Sequence, residues 1–351
     1  VRICVIASSR FPIAEPFAGG LEAWTHAMVS ELDRRGHDVT LFAGPGSDPR
    51  LPVTRLEVPA FAPSAVSLTD VNSPSEQWML EHHAYLDLML GLRHQRFDLV
   101  HNTSLHHLPV AMAKSLDAPV VTTLHTPPVP WLESAVALSG GVGHFVSVSE
   151  MTARAWAHAV SSTVIHNGVD VTAFVPGPGG GPAVWSGRLT PEKAPHLAMD
   201  AARLAGVELV LAGPVSDPAY VEREVRPRLG DGISYAGHLS RRELVGVLGR
   251  ASVAVVTPQW DEPYGLVAAE AMACGTPVAA FSRGALPELV DPRVGALAPD
   301  ADVAALARAI LVAARCERRV VRSYAERHCS LQRMVDRYEG LYDAVLDPVA
   351  A

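Results

Sequence analysis

Residues 258–277 read Pro-Gln-Trp-Asp-Glu-Pro-Tyr-Gly-Leu-Val-Ala-Ala-Glu-Ala-Met-Ala-Cys-Gly-Thr-Pro. A short apolar run suited to a buried strand, 253–256, stands before them. Gly265 opens a run of helix formers that stops at Gly275 and Pro277. Two acids stand in this apolar setting, Glu262 in the loop and Glu270 in the helix. A helix that starts at Gly265 leaves the N–H groups of Gly265, Leu266 and Val267 free. Such a helix end carries partial positive charge and suits a phosphate. Glu262 then lies just outside the anion site, and Glu270 about 7 Å further along the axis. A ligand with a phosphate in its middle and hydroxyls on both sides meets all three groups. A nucleoside-diphosphate sugar has that shape, with ribose on Glu270 and the sugar on Glu262. Taken alone, two glutamates at this spacing also fit a loop acid and a solvated helix acid.

The chain has 351 residues, enough for two domains with a core each. It is 48% hydrophobic and 19% charged, as a soluble globular protein is. A formal charge of −8 argues against a general nucleic-acid binder. Cys4, Cys274, Cys316 and Cys329 show neither pairing nor metal spacing, which fits a reduced, intracellular chain. Residues 1–7 are too short for a signal peptide, and no apolar run reaches about 18 residues. The expected location is cytoplasmic, with no transmembrane segment.

The first half opens with a βαβ pattern: strand 1–7, a loop closed by Gly19-Gly20, a helix over 21–35, and strand 38–42. The paired glycines allow a bulky ligand to approach the backbone, or mark an ordinary helix-start turn. Strands are expected over 51–58, 97–102, 118–124, 142–148 and 164–165, a helix over 76–96 and another ending at Ala159. Residues 59–75 read as a Pro- and Ser-rich loop on the acceptor side. His82 and His83 are adjacent, so they share no helix face and no joint metal site is expected there. His106-His107 reads as a solvated helix start. Strand 118–124 delivers His125 to the tip of a Pro-stiffened loop, where it is either a pocket residue or a satisfied loop histidine.

Residues 175–182, Val-Pro-Gly-Pro-Gly-Gly-Gly-Pro, form the clearest break in the chain. They divide a domain over 1–174 from a second over 183–328, with a terminal helical segment over 329–351. The second domain restarts with strand 183–186, which ends in Gly187-Arg188-Leu-Thr-Pro-Glu-Lys193. Arg188 and Lys193 can converge on one anion across that turn, or remain two solvated cations.

Several stretches together resemble the retaining glycosyltransferases of family four. These are Gly19-Gly20, His125 in Thr-x-x-His, Asn167-Gly-Val-Asp170, Gly187-Arg188 with Lys193, and Glu262 through Glu270 with Pro-Tyr264-Gly265. The resemblance runs over essentially the whole chain. It implies an α/β GT-B fold, two Rossmann-like doubly wound domains facing a central cleft, with the helix near 331–346 returning to the first domain. It implies that Arg188, Lys193, Gly265 and Leu266 hold the donor diphosphate and Glu270 its ribose. His125 and Glu262 then orient the sugar, Gly20 lies close to it, Tyr264 joins the donor site, and Gly237, His238 and Leu239 face the base. The expected reaction is retaining transfer of a hexose-type sugar from a nucleotide donor to a hydroxyl of a small molecule or glycan. UDP stands first on family frequency, with GDP and ADP behind it. No cofactor and no catalytic metal are expected. A non-catalytic nucleotide-sugar binder and a nucleotide-sugar epimerase are the alternatives.

Overall fold

The computed structural model describes residues 1–57 and 61–347. The first sheet joins β1 (Arg2–Ile6), β2 (Asp38–Ala43), β3 (Val53–Arg55), β4 (Leu99–Asn102), β5 (Val120–Leu124), β6 (His144–Ser147) and β7 (Ser162–Val164) in the order β3-β2-β1-β4-β5-β6-β7. The second joins β8 (Ala183–Ser186), β9 (Leu209–Ala212), β10 (Ile233–Tyr235), β11 (Ala254–Val256), β12 (Val278–Phe281) and β13 (Gly295–Ala298) in the order β10-β9-β8-β11-β12-β13. All the pairings are parallel. These are two doubly wound α/β units. In each, the strand order reverses beside its first strand, and open α/β sheets bind ligands outside the carboxyl ends of strands at such a point.

Both faces of each sheet are covered, so the strands read as apolar runs rather than alternating ones. In β1, Ile3 and Val5 point to one core and Cys4 and Ile6 to the other. In β12, Val278 and Ala280 face one core and Ala279 and Phe281 the opposite one. The last helix, Leu331–Leu346, leaves the second sheet behind. Its Leu331, Met334, Val335, Tyr338 and Tyr342 pack beside Ile3, Val5 and Trp24 of the first domain. A buried chain of hydrogen bonds pins it there: Tyr342 OH to His101 Nδ1 at 2.7 Å, His101 Nε2 to Thr123 Oγ1 at 2.8 Å, and Thr123 Oγ1 to Tyr338 OH at 3.0 Å.

Some boundaries differ from expectation. The strand expected over 51–58 is cut to β3, with Val58 outside the described residues, as are 59 and 60 of the expected loop. Residues 67–69 of that loop form a turn of 3-10 helix. The helices expected to end at Arg96 and Ala159 stop at Leu92 and Trp156. The decisive helix is Leu266–Ala273, one residue shorter at its start, because Gly265 is its left-handed N-cap (φ 96°). A side chain at Gly265 would also meet Leu286 at 2.8 Å.

The glycine-rich segment 175–182 is held rather than free. The Gly179 and Gly181 amides donate to the Gly249 and Arg250 carbonyls, each within 2.9 Å. Arg318 donates to the carbonyls of Ala251, Gly249 and Cys274, the cationic cap that helix C-termini favour. Arg322 does the same for Val171, Phe174 and Ala273. A Cβ on Gly177 would run into the Gly249 carbonyl oxygen. Gly177→Ala should therefore destabilise the protein by about 1–3 kcal/mol through overpacking. A thermal melt checks this, and an unchanged midpoint would show that the segment has room to move.

Candidate functional site

The loops after β1, β5, β8 and β11 line one cleft of about 670 Å³ between the two sheets. Two helix N-termini enter it from opposite sides. The helix Gly20–Arg34 starts at the paired glycines, with Gly19 as an extended N-cap that brings no side chain. The helix Leu266–Ala273 starts opposite. A Cβ on Gly20 would lie 3.0 Å from Leu266 Cδ1, so glycine is what lets the two ends meet closely. The Leu266 and Val267 amides have no acceptor among the described residues, as expected of the first turn.

On the second-domain side, Lys193 Nζ reaches Glu262 Oε2 at 2.5 Å, and the Trp260 indole donates to the same oxygen at 3.1 Å. The ammonium also lies 5.1 Å from the Trp260 ring centroid, within cation–π range. Arg188 pairs with Glu192 at 3.6 Å. Both sequence-derived cations thus have carboxylate partners, of which sequence reasoning missed Glu192. Glu270 extends from the helix into the same cleft. Burial pushes its carboxyl up to about 7, with Arg241 pulling the other way. It can therefore donate or accept a hydrogen bond near neutral pH.

On the first-domain side, His125 is half-buried, and its ring meets Trp24 edge-on at 4.6 Å. Burial holds its imidazole down at about 3, so it is neutral. Its Nε2 has no hydrogen-bond partner among the described residues, and the same is true of Asn167 Oδ1. Both residues line the cleft. Unpaired buried polar atoms carry a desolvation penalty that a ligand hydroxyl would relieve.

The cleft brings together His125, Glu262, Arg188, Lys193, Gly20, His238, Leu239, Tyr264, Gly265, Leu266 and Glu270. Gly237 stands apart: it does not line the cleft, and its carbonyl instead accepts the Gly213 amide at 2.9 Å. Gly213 is the glycine that matters on that side. Its φ is 140°, and a side chain there would strike the Gly187 carbonyl. Trp24 and Glu22, both lining the cleft, were also missed. Burial raises the Glu22 carboxyl above its ordinary range, while Arg188 and Arg10 lower it.

The two halves clasp each other beside the cleft. Arg241 meets Glu15 at 3.2 Å and the Phe17 ring at 5.3 Å, and His238 Nε2 lies 3.0 Å from the Phe17 carbonyl. Further round, Glu288, which carried no expected role, accepts the Glu150 and Met151 amides at 2.9 and 2.6 Å. It is a carboxylate from one domain capping a helix of the other.

Comparison with known proteins agrees with this fold. Residues 183–328 match the family model described as glycosyl transferases group 1, and residues 18–173 match that of glycosyltransferase family 4. A glycogen synthase of Mycobacterium tuberculosis is 30% identical, over 88% of this chain and 85% of its own. The chain is a family-four glycosyltransferase. Solved structures share its GT-B fold across almost the full length of both chains. Sucrose-phosphate synthase from Thermosynechococcus elongatus superposes with a TM-score of 0.79 at 22% identity, covering 99% of each chain. Anabaena HepE in complex with UDP-glucose does so with 0.75 at 19%, covering 98% of this glycosyltransferase and 99% of HepE.

The buried histidines of this glycosyltransferase make its stability pH-dependent. Burial holds both His101 and His125 at about 3, against 6.5 for the free side chain. Between those values the unfolded chain binds more protons, so stability is full above 6.5 and drains as pH falls. The expected loss is about 1.4 kcal/mol per pH unit for each histidine across that window. Glu270, raised from 4.5, works in the opposite sense as pH rises through about 7. Urea titrations from pH 7.5 to 5 should give a falling unfolding free energy, more steeply so in Glu270→Gln. A flat profile would mean the two imidazoles are not buried in neutral form.

Proposed function

We propose that this glycosyltransferase moves a hexose from a nucleoside-diphosphate hexose to a hydroxyl of a small molecule or glycan, with retention at the anomeric carbon. The observation that carries the reading is the meeting of two helix N-termini and two cations in one cleft. Arg188, Lys193 and the amides of Leu266 and Val267 bind the diphosphate and stabilise the negative charge that grows on it as the glycosidic bond breaks. Glu270 takes the ribose hydroxyls. Glu262 and His125 orient the sugar, with Trp24 fixing the imidazole from behind. Lys193 then bridges Glu262 and the phosphate, so donor entry tightens a contact already made.

The acceptor hydroxyl attacks on the face the diphosphate leaves, and a leaving-group phosphate oxygen takes its proton. The reading assigns no covalent nucleophile: Glu262, the acid nearest the expected sugar position, is held by Lys193 and the Trp260 N–H. UDP is the favoured nucleotide, supported by family frequency and by the UDP-glucose complex of HepE. The acceptor is a sugar or polyol, in keeping with the names of the glycogen and sucrose-phosphate synthases it is similar to. Among the described residues no helix is long and apolar enough to cross a membrane, which is compatible with the proposed cytoplasmic location.

Thermal-shift screening of UDP-, GDP- and ADP-hexoses should single out one donor base. Product NMR should then show the anomeric configuration of the donor preserved. Lys193→Ala and Arg188→Ala should each lower turnover by about 10²–10³-fold while leaving the melting midpoint close to that of the parent. Parental turnover in either variant, or inverted product, sinks the reading.

A further inference from the structure

Away from the cleft, the first domain gathers imidazoles from two elements. His82 lies on the helix Glu76–Leu92, while His106 caps and His107 opens the helix His107–Ala111. One ring nitrogen of each lies within 4.8 Å of those of the other two. His83 points to solvent, so the adjacent pair is indeed split between faces; the partners of His82 come from 24 residues further on. The expected helix start at His106-His107 is present, but its rings are half-buried in a stack rather than fully solvated. His106 lies 4.1 Å from Tyr85 and 4.3 Å from His107, and His107 lies 5.3 Å from His82, which Trp78 covers at 4.8 Å.

We propose that His82, His106 and His107 form a site for a borderline divalent first-row cation, with Zn²⁺ as its representative. Two facts carry this, beside the closeness of the three rings. The donor set is all imidazole, which suits zinc, nickel or copper rather than magnesium or calcium. His82 Nδ1 is buried without any partner among the described residues, so it has a lone pair or a proton to place. The rings need to close only modestly, since nitrogens around tetrahedral zinc lie about 3.3 Å apart. No fourth His, Cys, Asp or Glu joins the group among the described residues. The remaining position is left to water or to a ligand oxygen.

Ion binding has one structural consequence. His106 Nδ1 accepts the Leu108 amide at 3.2 Å. If Nδ1 ligates the metal its lone pair is taken, and if Nε2 does, Nδ1 carries the proton. Either way the Leu108 N–H gives up this acceptor. The neighbouring Leu105 lines the large cleft, so this lost cap lies beside its first-domain wall.

Tag-free, chelator-stripped protein is titrated with Co²⁺, and Zn²⁺ is then used to displace it. One equivalent of Co²⁺ should develop the visible absorption of a tetrahedral nitrogen site, and Zn²⁺ should abolish it and raise the melting midpoint. His82→Ala and His107→Ala should each weaken binding by more than about 100-fold, and His83→Ala should leave it unchanged. Circular dichroism confirms that each variant is folded. His106 is spared because it also caps a helix. Zn²⁺ should also speed hydrogen exchange at the Leu108 amide. No saturable binding, or a site that survives in folded His82→Ala and His107→Ala, overturns the proposal. Neither result bears on sugar transfer, which rests on the other cleft.

Discussion

Two helix N-termini pointed at one another across a narrow gap repel, since each carries about half a positive charge. Gly20 and Leu266 bring them into contact, and Arg188 and Lys193 add two full charges to the same space. The fold answers this concentration of charge with carboxylates: Glu192 on Arg188, Glu262 on Lys193, and Glu22 in the first turn of the opposing helix. None of these removes the free amides of Leu266 and Val267. On the proposed function, what is left is an anion site whose donors are already in place when charge develops.

Holding that site together is a matter of keeping two domains in register. An apolar core that joins Val148, Val169 and Phe174 of the first domain to residues of the second takes part, and polar contacts ring the cleft beside it. Glu288 inserts into the amide end of the helix Glu150–Trp156, and Thr152 Oγ1 donates to the Pro263 carbonyl at 3.3 Å. Arg241 and His238 reach the loop before Gly19 on the opposite flank. Polar clasps of this kind break and re-form at modest cost, as a cleft that must admit and release ligands requires. The Arg318 and Arg322 guanidiniums, by contrast, bind backbone carbonyls around segment 175–182, where the two domains are joined.

Much of the architecture could be read from local pattern. Apolar runs of four to six residues punctuated by Gly and Pro mark the strands of parallel sheets, and Gly265 with Glu270 marks the helix at the cleft. The cleft residues were legible where they sit at strand ends, as Arg188 and His125 do. What escaped was non-local. The Lys193–Glu262 pair spans 69 residues of sequence and the Glu288 cap 137, and nothing beside either residue announces its partner. The imidazole cluster was hidden for the same reason, since each histidine pair was judged against its own helix. Glycine misled in a different way. Composition does not distinguish a glycine chosen for freedom from one chosen for close approach. Gly177 belongs to the second kind, and Gly213 to both, with a left-handed backbone and the Gly187 carbonyl close against it.

The return of Leu331–Leu346 to the first sheet also sets the order of biosynthesis. A ribosome delivers β1 first and this helix some three hundred residues later. Until then Ile3, Val5 and Trp24 lack a large part of their cover, and the His101 ring lacks Tyr342. The amino-terminal half therefore emerges with part of its apolar core uncovered while its partner is still being made. The first half is completed only by that late step.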